Sequence, residues 1–339
     1  MRVNGLLKFN RELDVPAGVE TRLSPLVSRV LAPNPGPFTF KGTGVYLVGA
    51  GDTVAVIDPG PDMVEHLSAL KRVIGARRVS HILITHSHRD HSPAAAALKS
   101  WSGAPVYGLP DHAATLDSPL HPSHRSDDQR STGPFVTVLH DATGTSPASA
   151  GARGGGRAEE AAVDEAHDHG FVPDVMAHDG MRMAGDGFSF ECVTTPGHTA
   201  NHVCYALTEE RALFSGDHVM GWSTSVIAPP DGDMGQYIAS LEKLLARDET
   251  LFYPTHGSPM PDAKTWVTQL IAHRREREQQ IFEGLQGGES SVTQLVLRLY
   301  PDIAPALRAA AAQQVMAHLL HLAEKGAVAR DGALWRRRI

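Results

Sequence analysis

The sequence feature that most constrains this chain is the octapeptide THSHRDHS at 85–92, which holds three histidines and one aspartate. It directly follows Ile82–Ile84, an apolar run typical of a buried strand. Ser92 and Pro93 then precede AAAALKS, a run of strong helix formers, so Ser92 is predicted to cap a helix with Pro93 in its first turn. The histidines are therefore predicted to lie in a loop between a strand and a helix.

The spacing within this loop indicates two metal ions rather than one. Four candidate ligands within six residues would crowd a single small cation. His86 and His88, as alternate residues of an extended turn, can reach one ion, while Asp90 and His91 can reach a second from the start of the helix. Imidazole and carboxylate groups together suit zinc or another first-row divalent ion.

Three further candidate ligands lie far along the chain. His198, Asp217 and His256 each follow a short apolar run typical of a strand, and loops at one sheet edge can bring distant side chains together. Asp217, with two oxygens, is predicted to bridge the ions, with His198 and His256 completing one ion each. Two ions about 3.5–4 Å apart can hold a bridging hydroxide as the nucleophile. Asp90 is predicted to orient this hydroxide as the catalytic residue.

The remaining sequence predicts the domain organisation. Residues 141–170 contain many Gly, Ala and Ser and few large apolar residues, which predicts an inserted flexible loop. The polar helical pattern at 263–286 predicts a linking helix. Two helix-like runs and a hairpin signal then predict a winged-helix domain over 287–339. All candidate ligands lie within 1–262, the predicted catalytic domain.

Five short motifs, in this order, resemble the signature of the metallo-β-lactamase fold. They are VIDPG (56–60), HSHRDH (86–91), TPGHT (195–199), SGD (215–217) and PTHG (254–257). Within that superfamily, stretches such as FSGDHVMGWSTS (214–225) are similar to the β-lactamase-like protein 2 group, relatives of glyoxalase II. The resemblance implies an α+β fold: an αββα sandwich of two packed sheets with outer helices, followed by a small C-terminal winged-helix domain.

The resemblance also implies a role for the motif residues. It gives the two ions seven ligands: His86, His88 and His198 for the first, Asp90, His91 and His256 for the second, and Asp217 between them. It further implies that Asp58 braces the metal loop by hydrogen bonding.

Several residues near the motifs are candidates for supporting roles. His202 follows His198 by four residues and is predicted to hydrogen-bond behind the ligands. His218, Trp222 and Thr224 follow Asp217 closely in sequence and are candidates for lining the substrate pocket.

The chain departs from the group it resembles at two places. The group often has an aromatic residue inside the HxHxDH loop, where this chain has Ser87, and the 141–170 insert is not part of the usual core. Both departures affect the choice of substrate and leave the ligands intact. Because true β-lactamases of this fold usually lack an aspartate at the bridging position, Asp217 argues against antibiotic hydrolysis.

Charge and composition narrow the classes of partner. The net charge is −7, yet residues 271–339 carry ten Lys and Arg against seven Asp and Glu, so the catalytic region is acidic. An acidic body disfavours tight, generic binding of nucleic acid. Two cysteines, no long apolar run and no secretory signal predict a cytoplasmic protein without a membrane partner. The sequence does not indicate an oligomeric state.

Three functions follow from these observations. The first is a hydrolase of a small ester, thioester or lactone with two zinc ions per chain, iron or manganese being alternatives. The second, implied by the resemblance, is a single-strand endoribonuclease, with RNA as the partner. The third is a nucleic-acid-binding regulator with a degenerate enzyme domain, against which the seven filled ligand positions argue.

Overall fold

The computed structural model describes residues 7–111 and 167–338, so most of the predicted 141–170 loop lies outside the described residues. A first, seven-stranded sheet has the order β1 (Glu20–Arg22), β2 (Val27–Leu31), β3 (Gly44–Val48), β4 (Thr53–Ile57), β5 (Arg78–Leu83), β6 (Val106–Gly108) and β7 (Val175–Met176). A second, five-stranded sheet has the order β12 (Leu251–Pro254), β11 (Ala212–Gly216), β10 (Val203–Leu207), β9 (Ser189–Thr194) and β8 (Arg182–Ala184).

Six α-helices are described in these two ranges. They are α1 (Val64–Ile74), α2 (Ala94–Ser102), α3 (Met234–Leu245), α4 (Ala263–Gly284), α5 (Val292–Leu299) and α6 (Arg308–Glu324). A third sheet of short strands has the order β13 (Ser290–Ser291), β15 (Leu334–Arg337) and β14 (Val328–Asp331). Among the described helices, none is long and apolar enough to cross a membrane.

Alternation of side chains along the strands produces the layers. On β3, Tyr46 and Val48 face the other sheet, while Val45 and Leu47 face α1 and α2. On β10, Tyr205 faces the first sheet, whereas the neighbouring Cys204 and Ala206 join the core under α3 and α4. Because each sheet is buried on both faces, its strands consist of nearly continuous apolar residues. The predicted αββα sandwich is confirmed.

The winged-helix prediction is also confirmed, and this part of the chain has its own core. Leu295 on α5, Val315 and Leu319 on α6, and Trp335 on β15 are buried together with the end of α4. Ser291 caps α5, accepting from the Gln294 backbone N–H while Gln294 reaches back to the Ser291 backbone, a capping box.

The long helix α4 contributes to two cores. Its first half packs with α3 through residues such as Val267 and Leu270, and its last turns supply Ile281 to the winged-helix core. Ala317 of α6 also joins the core beneath α3. The boundaries 1–262, 263–286 and 287–339 stay predictions. The packing shows that residues 263–286 contribute side chains to both cores in addition to linking them.

The predicted cap of α2 is wrong. Helix α2 begins at Ala94, and no side chain accepts a hydrogen bond from its first turn. The hydroxyl of Ser92 instead donates to Asp168 Oδ2 at 2.8 Å. Asp168 is too far along the chain for local capping patterns to predict this contact. This contact connects the histidine loop to a residue 76 positions away.

Candidate metal centre

The candidate ligands meet because the strands that precede them end at one edge of the sandwich. Strand β5 runs parallel to β4, and β12 runs parallel to β11. Strand β10 lies between β9 and β11 and is antiparallel to both. The carboxyl ends of β5, β9, β11 and β12 lie at the same edge of the sandwich, where His86 follows β5 and His256 follows β12. Asp217 follows β11 directly, and His198 lies four residues beyond β9.

All seven predicted ligands converge there and are buried. Their ligand atoms form three groups within 4.8 Å: His86, His88 and His198; Asp90, His91 and His256; and His86, His91 and Asp217. The third group shares a member with each of the other two. Asp217 Oδ2 also lies 3.4 Å from His256 Nε2. The three groups follow the predicted division of the ligands between two ions, and this assignment stays a prediction.

The residues fit a pair of cations because several buried polar atoms at the centre have no hydrogen-bond partner within residues 7–111 and 167–338. These atoms are His91 Nε2, His198 Nε2 and Asp217 Oδ1. Leaving buried polar atoms unpaired costs about 1–3 kcal/mol for each group. Bound cations would satisfy these lone pairs.

Hydrogen bonds to the far side of each ring fix the imidazoles. His198 Nδ1 lies 2.6 Å from the Val226 carbonyl oxygen, and His256 Nδ1 lies 3.2 Å from that of Gly42. A carbonyl oxygen only accepts, so Nδ1 of each ring must donate. In the neutral ring this leaves the Nε2 lone pair free for a metal.

Asp58 is the central brace of the site. Its Oδ1 accepts from the Thr85 backbone N–H at 2.8 Å, and its Oδ2 accepts from the hydroxyls of Thr85 and Thr255 at 2.8 and 2.9 Å. The same Oδ2 lies 2.9 Å from His91 Nδ1. Asp58 thereby connects the ends of β4, β5 and β12. This position agrees with the role that the sequence resemblance implied.

Burial and charge divide the histidines into two groups. Burial and neighbouring imidazoles hold the pKa of His86 and His88 well below its ordinary value. Although burial opposes its charge, the carboxylates of Asp217 and Asp90 raise the pKa of His256 to about 10. Burial likewise opposes ionisation of the two carboxyls, yet the adjacent His91 and His256 lower the pKa of both. The imidazoles beside Asp90 and Asp217 therefore hold protons in the metal-free protein, and a bound cation would displace these protons.

The supporting candidates occupy different depths. His202 is fully buried with Nδ1 2.8 Å from Thr195 Oγ1, and its ring centroid lies 5.3 Å from that of His86. His218 is also fully buried, between the rings of His202 and Tyr237. The pocket-lining role of His218 stays a prediction.

Trp222 and Thr224 are half-buried on the loop that follows Asp217. The Trp222 ring stacks on Phe40 with centroids 4.8 Å apart. The stacked rings therefore bring together two segments that are distant in sequence. The pocket-lining role of Trp222 and Thr224 stays a prediction.

Sequence reasoning missed a set of contacts that His167 makes with His88 and two aspartates. This residue forms a β-bridge with His88, and the two ring centroids are 4.9 Å apart. Its Nδ1 lies 3.3 Å from Asp111 Oδ1, and its Nε2 lies 3.7 Å from Asp231 Oδ2. His167 lies near the end of the 141–170 segment, which the sequence predicts to be an inserted flexible loop. Sequence periodicity cannot predict a contact between two residues that are 79 positions apart. Only the residue type of His88 and His167 could have suggested this contact.

Asn201 is a further residue that the sequence analysis did not single out. Its side-chain amide donates to Ser87 Oγ at 2.9 Å and so connects the loop after β9 with the histidine loop.

Replacing Asp58 by Asn should weaken both the fold and the metal site. The substitution removes the charge that accepts four donors, so we expect a loss of about 2–3 kcal/mol in the free energy of unfolding. Metal affinity should fall roughly 10–100-fold. Denaturant unfolding and metal titration measure the two effects. The exposed Asp52→Asn variant is the matched control, and equal behaviour of the two variants would contradict the bracing role.

The metal-free protein should lose stability as the pH rises above neutrality. His256 has a folded pKa near 10 against an ordinary value of 6.5, so its contribution is complete below pH 6.5 and declines above it. The expected slope is about 1 kcal/mol per pH unit for this group. Thermal unfolding between pH 6.5 and 8 should show a steeper decline for wild type than for His256→Asn. Equal slopes would show that His256 does not retain the proton.

Comparison with known proteins places the chain in a family. Residues 39–256 match the Metallo-beta-lactamase superfamily, and residues 291–335 match the Beta-lactamase associated winged helix domain. The chain is 31% identical to the Beta-lactamase-like protein 2 homolog of Caenorhabditis elegans over 312 residues, covering 91% of this chain and 87% of the relative. It is 29% identical over 270 residues to an atrochrysone carboxyl ACP thioesterase of Paecilomyces divaricatus, covering 78% and 66% of the two chains.

Solved structures support the same fold. A beta-lactamase domain protein from Burkholderia ambifaria superimposes with a TM-score of 0.73 at 18% identity, covering 99% of this chain and 98% of that one. A metallo-beta-lactamase family protein from Thermus thermophilus gives 0.68 at 23% identity, covering 94% and 100%. The chain therefore belongs to the metallo-beta-lactamase superfamily of metal-dependent hydrolases and carries the associated winged-helix domain.

Proposed function

We propose that this chain hydrolyses a small thioester, ester or lactone with the help of two divalent cations. The observation that carries the proposal is the convergence of seven buried histidine and aspartate side chains, several with unpaired atoms facing one another. Three residues would hold each ion, and Asp217 would contact both. This assignment of the individual ligands is part of the proposal.

The donor set favours zinc. Five imidazoles and two carboxylates match the preference of zinc for nitrogen with some oxygen, while the carboxylates leave iron or manganese as alternatives. When bound, the cations would supply Lewis-acid polarisation of the substrate carbonyl and acidify a water.

Asp90 is the proposed proton carrier. The neighbouring imidazoles keep its carboxylate ionised, so it can accept a proton. Its Oδ2 is 3.0 Å from His256 Nε2, and the Thr43 hydroxyl donates to it at 3.4 Å. As water oxygen bonds to the acyl carbon, the carboxylate of Asp90 would take the water proton. When the carbon–sulfur or carbon–oxygen bond breaks, the same proton would pass to the leaving group, giving a carboxylic acid and a thiol or alcohol.

Two observations favour a small acyl substrate. Similar proteins include several named atrochrysone carboxyl ACP thioesterases. The whole chain has a net charge of −7 and residues 271–339 carry +3, so residues 1–270, which hold the site, carry −10 and would also repel a polyanion. We propose a thioester as the first substrate class to test.

RNA is the second candidate substrate, because the relative in Caenorhabditis elegans has a β-lactamase-like protein 2 name and the chain carries a winged helix. Helix α6 offers little surface for reading bases, since Val315–Leu319 are buried against neighbouring helices. This burial argues for an architectural role of the winged helix. The regulator hypothesis is weaker still, because every predicted ligand position is filled and converges.

We also propose the cytoplasm as the compartment. Cys192 and Cys204 are free, buried thiols, and burial raises the pKa of each to about 12. They would stay protonated and unreactive in a reducing environment.

The zinc-loaded protein should hydrolyse a small acyl thioester and leave single-stranded RNA intact. Asp90→Asn should lower kcat roughly 100–10,000-fold, because the amide cannot take the water proton. Thiol release measured with a chromogenic thiol reagent, and gel analysis of labelled RNA, give the two readouts.

The matched control is His81→Ala, a histidine of β5 that lies outside the three ligand groups. It should retain wild-type turnover, whereas His88→Ala should be inactive on every substrate. RNA cleavage that disappears in His88→Ala, with no thioester turnover, would replace the thioester proposal by the ribonuclease one.

A further inference from the structure

One buried network connects the winged-helix domain to a metal-binding histidine. It consists of Arg274 on α4, Gln314 on α6 and the loop Ser225–Ile227. Arg274 Nη2 donates to the Ser225 carbonyl at 2.5 Å, and Gln314 Nε2 donates to the Ile227 carbonyl at 3.1 Å. Arg274 Nη1 donates to Gln314 Oε1 at 2.9 Å, which joins the two donors.

The residue between these two anchored carbonyls is Val226. Its own carbonyl accepts the 2.6 Å hydrogen bond from His198 Nδ1. Fixing the peptide groups on both sides restricts rotation of the Val226 carbonyl and thereby the ring of His198. Ser225 also acts toward Asp217, since its hydroxyl donates to the Asp217 carbonyl at 2.6 Å.

The burial of Arg274 makes its hydrogen bonds energetically necessary. Arg274 is only 4% exposed, and no Asp or Glu oxygen of the described residues lies within 4.0 Å of its guanidinium. Burying a charge without a counter-charge costs several kcal/mol unless hydrogen bonds compensate. Here the compensation comes from the Ser225 carbonyl and Gln314, with the Tyr237 ring 5.2 Å from the guanidinium carbon.

We propose that Arg274 and Gln314 are positioning residues for His198, so that the winged-helix domain is an integral part of the metal centre. The inference rests on the proposed function, because it presumes that His198 binds a cation. The expected effect is selective, because His198, held with His86 and His88, contacts the network through its ring, whereas Asp217 is reached only at its main-chain carbonyl and not at its carboxylate.

The test is zinc binding by the full chain with Gln314→Leu, which removes the donor while keeping a similar volume. We expect two zinc ions in wild type, and in the variant a roughly 10–100-fold weaker affinity for one ion only. Chelator competition measures both affinities, and thermal unfolding of the metal-free forms measures any general loss of stability. Gln313→Leu, on the same helix, is the matched control and should bind both ions as wild type does.

Two further variants test the contacts of Gln314 and Arg274. Gln314→Glu keeps an acceptor for Arg274 but places an oxygen against the Ile227 carbonyl, so it should show the same selective weakening. Arg274→Lys, which cannot donate in two directions with the same geometry, should do so as well.

Unchanged affinity for both ions in all three variants, or a lower melting temperature of the metal-free protein with unchanged affinities, would overturn the inference and leave the metal centre intact. Failure of wild type to bind zinc, iron or manganese would overturn the proposed function and this inference together.

Discussion

The site depends on the carboxylate of Asp58. This side chain lies at the end of β4 with a φ of 46°, a backbone region that non-glycine residues seldom adopt. From there it accepts hydrogen bonds from Thr85, just beyond β5 of the first sheet, and from Thr255, just beyond β12 of the second. A single buried anion therefore sets the position of one sheet edge relative to the other.

The layers of the fold place the chemistry at this junction. Each sheet has an apolar face toward the other sheet and an apolar face toward helices, so water is excluded from both sides of the strands. Polar side chains collect where the strands end. In so dry a setting, unpaired imidazole and carboxylate atoms are costly. The same cost makes the centre receptive to cations.

Sequence reasoning predicted the parts that depend on local pattern. Strands, helices and the order of the motifs followed from periodicity, turn residues and spacing, and the ligand set followed from the few residue types that bind divalent ions. It missed contacts that only the folded chain creates. Ser92 bonds to Asp168 instead of capping α2, and His167 lies over His88. The network of Arg274 was equally invisible, because a buried arginine looks like a surface residue in a polar helix sequence.

The central claim is that the seven converging side chains bind two cations. Anomalous diffraction from crystals of the zinc-loaded protein, recorded at the zinc absorption edge, tests it directly. The account predicts two peaks about 3.5–4 Å apart, each with protein ligand atoms at about 2.0–2.2 Å. Peaks elsewhere on the molecule, or none at the junction of the two sheets, would contradict it.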